Sequence, residues 1–220
     1  MKPGRRRRVG RPRAAERGDG REHRGVMLGA VYDVISREGA DQASMREIAA
    51  AARVSTGTLN HHFTNKKQLL IEALRAAYHL PPDWESYAGS PAAQLRRIML
   101  SFAMSATGNR WWRFWINYLA LSTRDPDMQQ EQSRRYERQL RFWTRLVQDG
   151  IAAGEFRRQP DAEATARRLL TQAHGLVVLQ LIQPGASMRK HARAEIEALV
   201  AGLRRQGSSA PSRLHAPAAA

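Results

Sequence analysis

The sequence contains no cysteine, which excludes disulfides, thiolate-bound zinc, iron–sulfur clusters and cysteine nucleophiles together. It also lacks any uninterrupted apolar run of the eighteen or so residues that a membrane-spanning helix needs. The N-terminus is basic, but no apolar stretch follows its arginines, so it does not read as a secretory signal. Gly-x-Ser-x-Gly, a glycine-rich phosphate loop, His-Glu-x-x-His and dense acidic metal clusters are all missing. Neither catalysis nor a cofactor nor a bound metal is therefore expected, and the cytoplasm is the expected location.

Negative charge is scarce as well: 20 Asp/Glu stand against 36 Lys/Arg, a net charge of +16 on 220 residues. The excess is concentrated at the start, where residues 1–20 carry eight Lys/Arg and only Glu16 and Asp19 in opposition. This basic run has no apolar face, so a polyanion such as nucleic acid suits it better than a membrane surface. Arginine enrichment by a GC-rich genome is the competing explanation of the excess. At 42% hydrophobic and 25% charged residues, the rest is ordinary for a globular protein with one or two domains.

What is present is helical periodicity almost throughout, with no period-2 alternation and no internal repeat. Residues 1–20, made mostly of Arg, Gly and Pro, are expected to be a disordered basic arm, and residues 206–220 a disordered tail. A first helix is predicted over about 22–38, with Met27, Val31, Val34 and Ile35 as its apolar stripe and Gly39 as its stop. Ser44-Met-Arg-Glu47 spells a capping box for a second helix, whose inner face would hold Met45, Ile48, Ala49 and Ala52. A short third helix follows over about 55–62 and a fourth over about 65–79, ended by Pro81-Pro82. Five more are predicted near 92–106, 110–122, 128–153, 161–183 and 187–205, with Gly154 closing the long one. The expected division is a DNA-binding domain over 21–80 and a larger helical domain over 81–205. The fold class is all-α.

The segment from Ala43 to Leu70 carries the chemistry. An alanine-rich helix, a tight turn and a very short helix follow one another, and the small residues Ala49 to Ala52 would let another helix cross closely. Val54 and Leu59 could plug the angle between the helices, and Ser55 is a fair N-cap. The short helix offers Thr56, Gly57, Thr58, Asn60 and His61 or His62, all small or hydrogen-bonding. Such a face suits a major groove about 12 Å wide. Lys66 and Lys67 sit in the first turn of the next helix, against the macrodipole, where a phosphate would satisfy both the lysines and the free amides. An ordinary helical hairpin with a polar turn is the alternative reading of the same spacing. His61 and His62 are neighbours on a helix and point about 100° apart, so they cannot share one metal ion.

The stretch Met45-Arg46-Glu47-Ile48-Ala49, Val54-Ser55-Thr56-Gly57-Thr58-Leu59, His62-Phe63 and Asn65-Lys66-Lys67-Gln68-Leu69-Leu70 resembles the DNA-binding domain of the TetR family of bacterial transcriptional regulators. The resemblance implies a three-helix helix-turn-helix domain followed by a helical domain for ligand binding and dimerisation. It implies that Thr56, Gly57, Thr58 and Asn60 face bases or the groove wall, that Ser44, Arg46 and His61 lie at the DNA, and that His62 and Lys66 hold phosphates. Asn60 stands where many relatives carry tyrosine, so an aromatic phosphate contact is replaced by an amide that could pair with adenine. In the arm, Gly10-Arg11-Pro12-Arg13 is similar to the core of an AT-hook. Arg11 and Arg13 would then contact DNA, as phosphate anchors or within a narrow minor groove.

The resemblance further implies a homodimer, and hence a palindromic double-stranded operator. Leu176, Val177, Val178, Leu179, Leu181 and Ile182, with Ile196, Leu199, Val200 and Leu203, would form half of a four-helix bundle made by the last two helices of each subunit, with burial inside one subunit as the competing reading. Aromatic residues gather at 111–118. Trp111, Trp112, Trp115 and Tyr118, with Trp143 on the following helix, are the candidate effector contacts, though plain core packing is the competing role for each ring. With a Trp-x-x-Phe-Trp start, an Arg124-Asp125-Pro126 turn, Arg134-Arg135-Tyr136 and Gly154 closing the long helix, the chain from Trp112 to Phe156 is similar to the C-terminal domain of the choline-responsive repressors of betaine synthesis. A cationic effector would want a carboxylate, for which Glu137 and Asp149 are available. The function expected is that of a small-molecule-responsive, sequence-specific repressor; a non-specific basic architectural protein is the alternative.

Overall fold

The computed structural model describes residues 14–77, 89–105, 107–158 and 161–204, with side chains from His23 onward. Among these residues nine helices account for the regular structure: α1 (Ala14–Glu38), α2 (Met45–Ala51), α3 (Thr56–His62), α4 (Lys66–Ala77), α5 (Pro91–Ser105), α6 (Arg110–Ser122), α7 (Pro126–Ala152), α8 (Ala162–Ile182) and α9 (Ala186–Leu203). The all-α class is as the periodicity predicts.

Helix α1 starts at Ala14, so residues 14–20 are helical rather than part of an unstructured arm. Ala14, Ala15, Glu16 and Arg17 are good helix formers, and extending an existing helix avoids the cost of nucleation. Arg11 and Arg13, the Pro81-Pro82 boundary and the tail over 206–220 lie outside the described residues.

The packing yields two compact units, each drawn from two stretches of chain. The first comprises residues up to Pro82 together with Thr107–Glu137; the second comprises Asp83–Ala106 and Arg138 onward. Thus α6 and the start of α7 pack with the N-terminal helices, which a linear division at about residue 80 does not anticipate. In the first unit α1 packs on α2, α4 and α6. Its core holds Met27, Val31, Val34, Ile35, Ile48, Leu59, Phe63 and Leu69, all essentially buried.

In the second unit α5 packs against α8 and α9. Leu95, Ile98, Met99 and Phe102 face inward from α5. Beyond the end of α7 the chain folds back: Gly154 takes a φ of +74°, and the amides of Glu155 and Phe156 both donate to the Gly150 carbonyl at 3.0 Å. Gly39 plays the same part after α1 with a φ of +82°. Both are positions where a Cβ is disfavoured.

Candidate DNA-binding site

The second and third helices are held by caps written in the local sequence. The Ser44 hydroxyl accepts from the Glu47 amide at 3.2 Å, and Glu47 Oε2 accepts from the Ser44 amide at 2.7 Å. The Ser44 hydroxyl also donates to Glu47 Oε2 at 2.7 Å, and this bond first, the Ser44 amide second, keeps the Glu47 carboxyl below its usual range. Replacing Ser44 by alanine removes the cap, so Ser44→Ala is expected to cost about 1 kcal/mol. Denaturant melts check this, with Ser44→Asn recovering most of the loss because it keeps an acceptor.

The turn between α2 and α3 is tight for an unexpected reason. Arg53 adopts a φ of +57°, a left-handed conformation usually left to glycine. The amides of Arg53 and Val54 donate back to Ala50 and Ala49, each at 3.0 Å. The next helix then begins at once, with Ser55 Oγ accepting from the Thr58 amide at 3.0 Å. Leu59 is fully buried beneath it and Val54 half-buried. Of the four alanines expected to allow close helix crossing, only Ala49 and Ala52 are buried; Ala50 and Ala51 face outward, as a helical period requires.

What α3 leaves outside is the candidate reading face. Gly57, Thr58, Asn60 and His61 are exposed, Thr56 and His62 half-buried, and Arg46 is exposed on α2. A Cβ built on Gly57 would meet only Ser55 Oγ at 3.6 Å, an ordinary contact. The fold therefore does not require glycine there, and its missing side chain benefits only what lies beyond the surface.

Asn65 caps α4 through Oδ1, which accepts from the Gln68 amide at 2.9 Å. The two lysines of that first turn part company. Lys66 Nζ lies 3.5 Å from the Asp41 carbonyl and is half-buried. Lys67 donates to Asp127 at 2.6 Å and lies 3.4 Å from Asp125, so it has carboxylates instead of a phosphate. These partners hold the Lys67 ammonium's pKa above its ordinary value, through hydrogen bonds to Asp127 and then Asp125.

The first unit ties these helices to α6 and the beginning of α7 at several further points. Asn117 Oδ1 accepts from the Ala40 amide at 3.0 Å, just past the Gly39 turn. Arg110 pairs with Asp33, and Arg75 reaches the buried Glu131 at 2.8 Å. Tyr32 donates to the Ala73 carbonyl at 2.6 Å and meets Trp111 and Phe114 edge-on. Burial raises the Tyr32 pKa far above its ordinary value, so it stays a neutral donor.

The candidate effector aromatics occupy defined places. Trp112, Trp115 and Tyr118 are buried on α6 and Trp111 is half-buried. Trp115 Nε1 donates to Gln132 at 3.3 Å, and the Tyr118 hydroxyl donates to the Met128 carbonyl at 3.2 Å. Trp143 belongs to the second unit, where its ring centroid lies 5.9 Å from that of Phe102. Glu137 and Asp149 are exposed on α7. Sequence reasoning missed Arg135, which is 2% exposed with its guanidinium over the Trp111 and Trp115 rings at 5.5 and 5.4 Å. Arg134-Arg135-Tyr136 belongs to the stretch that resembles the betaine-synthesis repressors, but the twenty residues between Trp115 and Arg135 give no local sign that the two side chains meet.

In the second unit α8 and α9 border a groove of about 740 Å³ whose apolar lining includes Leu169, Leu199 and Leu203. Farther along α8, Leu179 and Ile182 are 40% and 67% exposed. No described helix is long and apolar enough to cross a membrane.

Comparison with known proteins finds two family matches. Residues 28–73 match the bacterial regulatory proteins of the tetR family, and residues 91–205 match the BetI-type transcriptional repressor, C-terminal. A curated relative, the HTH-type transcriptional repressor KstR2 of Mycolicibacterium smegmatis, is 27% identical over 154 residues, covering 66% of this chain and 72% of the relative. Among solved structures, a transcriptional regulator from Saccharomonospora viridis in complex with choline is similar at a TM-score of 0.73 and 24% identity, covering 84% of this chain and 100% of that one. A TetR-family regulator from Rhodococcus sp. is similar at a TM-score of 0.71 and 20% identity, with 83% and 98% coverage.

Proposed function

The chain belongs to the TetR family of bacterial regulatory proteins, with a C-terminal domain of the BetI type, and from that we propose that it is a homodimeric repressor released from a palindromic operator by a small-molecule effector. The observation that carries the reading is the outer face of α3. There Gly57, Thr58, Asn60 and His61 are exposed on a helix that the fold caps and anchors from below. Small and hydrogen-bonding side chains on a short, rigid helix can approach base edges closely. Arg46 and Ser44 flank that face, and Lys66, His62 and the arm residues Arg11 and Arg13 supply phosphate contacts. The protein acts in the cytoplasm and is not an enzyme.

One apolar feature supports the dimer: Leu179 and Ile182, one turn apart on α8, are exposed in one chain, and a second copy that covered them would remove that apolar surface from water. An effector that prefers the conformation unable to bind DNA weakens operator binding by linkage. The ties of α6 and early α7 to the helix-turn-helix support that coupling, because a shift of α6 would move Asn117 and with it the Gly39–Ala40 turn. Trp111, Trp112, Trp115 and Tyr118 in the first unit, and separately Trp143 in the second, are the candidates for effector contact.

Selection of bound fragments from random DNA with the purified protein tests the reading. A palindromic consensus is expected, bound at least about a thousandfold tighter than random DNA. The triple variant Thr58→Ala, Asn60→Ala, Lys66→Ala should lose that preference while remaining folded and dimeric. Sequence-independent affinity that falls steeply with salt would instead mark a non-specific architectural protein.

A further inference from the structure

The indole faces of Trp111 and Trp115 are one helical turn apart on α6, and the cation they face is supplied by the chain itself. The Arg135 guanidinium carbon lies 5.5 Å from one ring centroid and 5.4 Å from the other. Both distances fall within the roughly 6 Å over which the ring quadrupole attracts a cation. With 2% exposure Arg135 is buried, which strengthens that attraction relative to a wet surface.

The rings are not free to spread and admit a second cation beside Arg135. Trp115 is pinned through its Nε1 bond to Gln132, and Trp111 is wedged between Tyr32 at 5.8 Å and Phe114 at 5.4 Å. A quaternary ammonium, which has no hydrogen-bond donor and is recognised mainly by aromatic faces, would need the same space. It would also meet a like charge at short range, and it would compete with a tethered cation whose effective concentration is high.

We propose that Arg135 is the resident cation of the Trp111–Trp115 pair, a specificity-determining residue that closes this pair to quaternary ammonium effectors. The proposal deepens the effector-responsive reading above and rests on it for the word effector; the binding test itself needs no DNA. The same two indoles become a quaternary ammonium site once the guanidinium is removed.

The test titrates tetramethylammonium chloride into the full-length protein against sodium chloride of matched ionic strength, read by tryptophan fluorescence and calorimetry. The wild-type protein is expected to show no saturable response that depends on Trp115. Arg135→Ala should gain saturable binding at least about tenfold tighter than any wild-type response, as cation–aromatic contacts of this kind allow. Adding Trp115→Leu to that variant should abolish the gain. Saturable, Trp115-dependent binding by the wild type overturns the proposal, as does a folded Arg135→Ala that binds no better than wild type. Should Arg135→Ala fail to fold, Arg135→Gln carries the same criteria, with the ammonium-induced rise in Tm as readout. Operator binding by each variant without added cation is scored separately, so a failure here and a failure of the DNA-binding reading are distinguishable.

Discussion

Gly57→Leu should weaken operator binding about a hundredfold while leaving the protein at least as stable as before. The two effects separate because nothing in the fold crowds a Cβ at this exposed position. The nearest atom to a Cβ there is Ser55 Oγ at 3.6 Å, and the residue is exposed. Glycine inside a helix costs roughly 0.5–1 kcal/mol relative to a good helix former, so thermal stability should stay level or rise slightly. A leucine would project from the face proposed to approach DNA and hold α3 away from the groove. The expected loss of operator affinity is on the order of a hundredfold, equivalent to about 2.7 kcal/mol. Quantitative binding to the selected operator, paired with a thermal melt, checks both parts. Unchanged affinity in the folded variant would show that α3 does not enter the groove.

Gly150→Ala should be severely destabilising in a part of the molecule remote in sequence from α3. A Cβ at Gly150 would lie 2.2 Å from Phe156 Cδ2, far inside contact distance. The ring cannot simply swing out: Phe156 is 1% exposed and its amide donates to the Gly150 carbonyl. The turn around Gly154 that brings the ring back onto α7 would have to reopen. Overpacking of this kind costs about 3 kcal/mol at the upper end of the usual range. In a chain of this size that lowers Tm by roughly 6–12 °C. Adding Phe156→Leu should recover part of the loss, since a smaller side chain relieves the contact, and a double-mutant cycle would show the coupling. A variant that melts within a degree or two of wild type would mean that the chain after α7 does not fold back onto it.

Much of the DNA-binding end was legible because its determinants are local. Ser44 with Glu47, Ser55 with Thr58 and Asn65 with Gln68 are capping pairs at a spacing of three, and each forms as the residue pattern implies. Gly39 and Gly154 stop helices by backbone conformation, which is again a local property. The turn between α2 and α3 was legible as a turn but not in its chemistry. Its left-handed residue is Arg53, where glycine would be the easier choice, and the surrounding hydrogen bonds hold it there.

Partners distant in the chain were not legible. Position in the first turn of α4 gives both lysines the same reason to seek an anion. Lys67 instead meets Asp125 and Asp127, nearly sixty residues on, and only Lys66 stays a phosphate candidate. The aromatic run at 111–118 reads equally as a cage or as core, and periodicity cannot separate the two because both need one apolar face.

Composition, period and capping chemistry by themselves determined the all-α class, the order of the helices and the exposed polar face of α3, since each depends on contacts within a few residues. Only the tertiary structure decided that α6 and early α7 pack with the N-terminal helices, that Asp125 and Asp127 hold Lys67, and that Arg135 sits over two indoles. Those outcomes depend on which surfaces meet when the chain closes over long separations, and no short-range pattern encodes the partner.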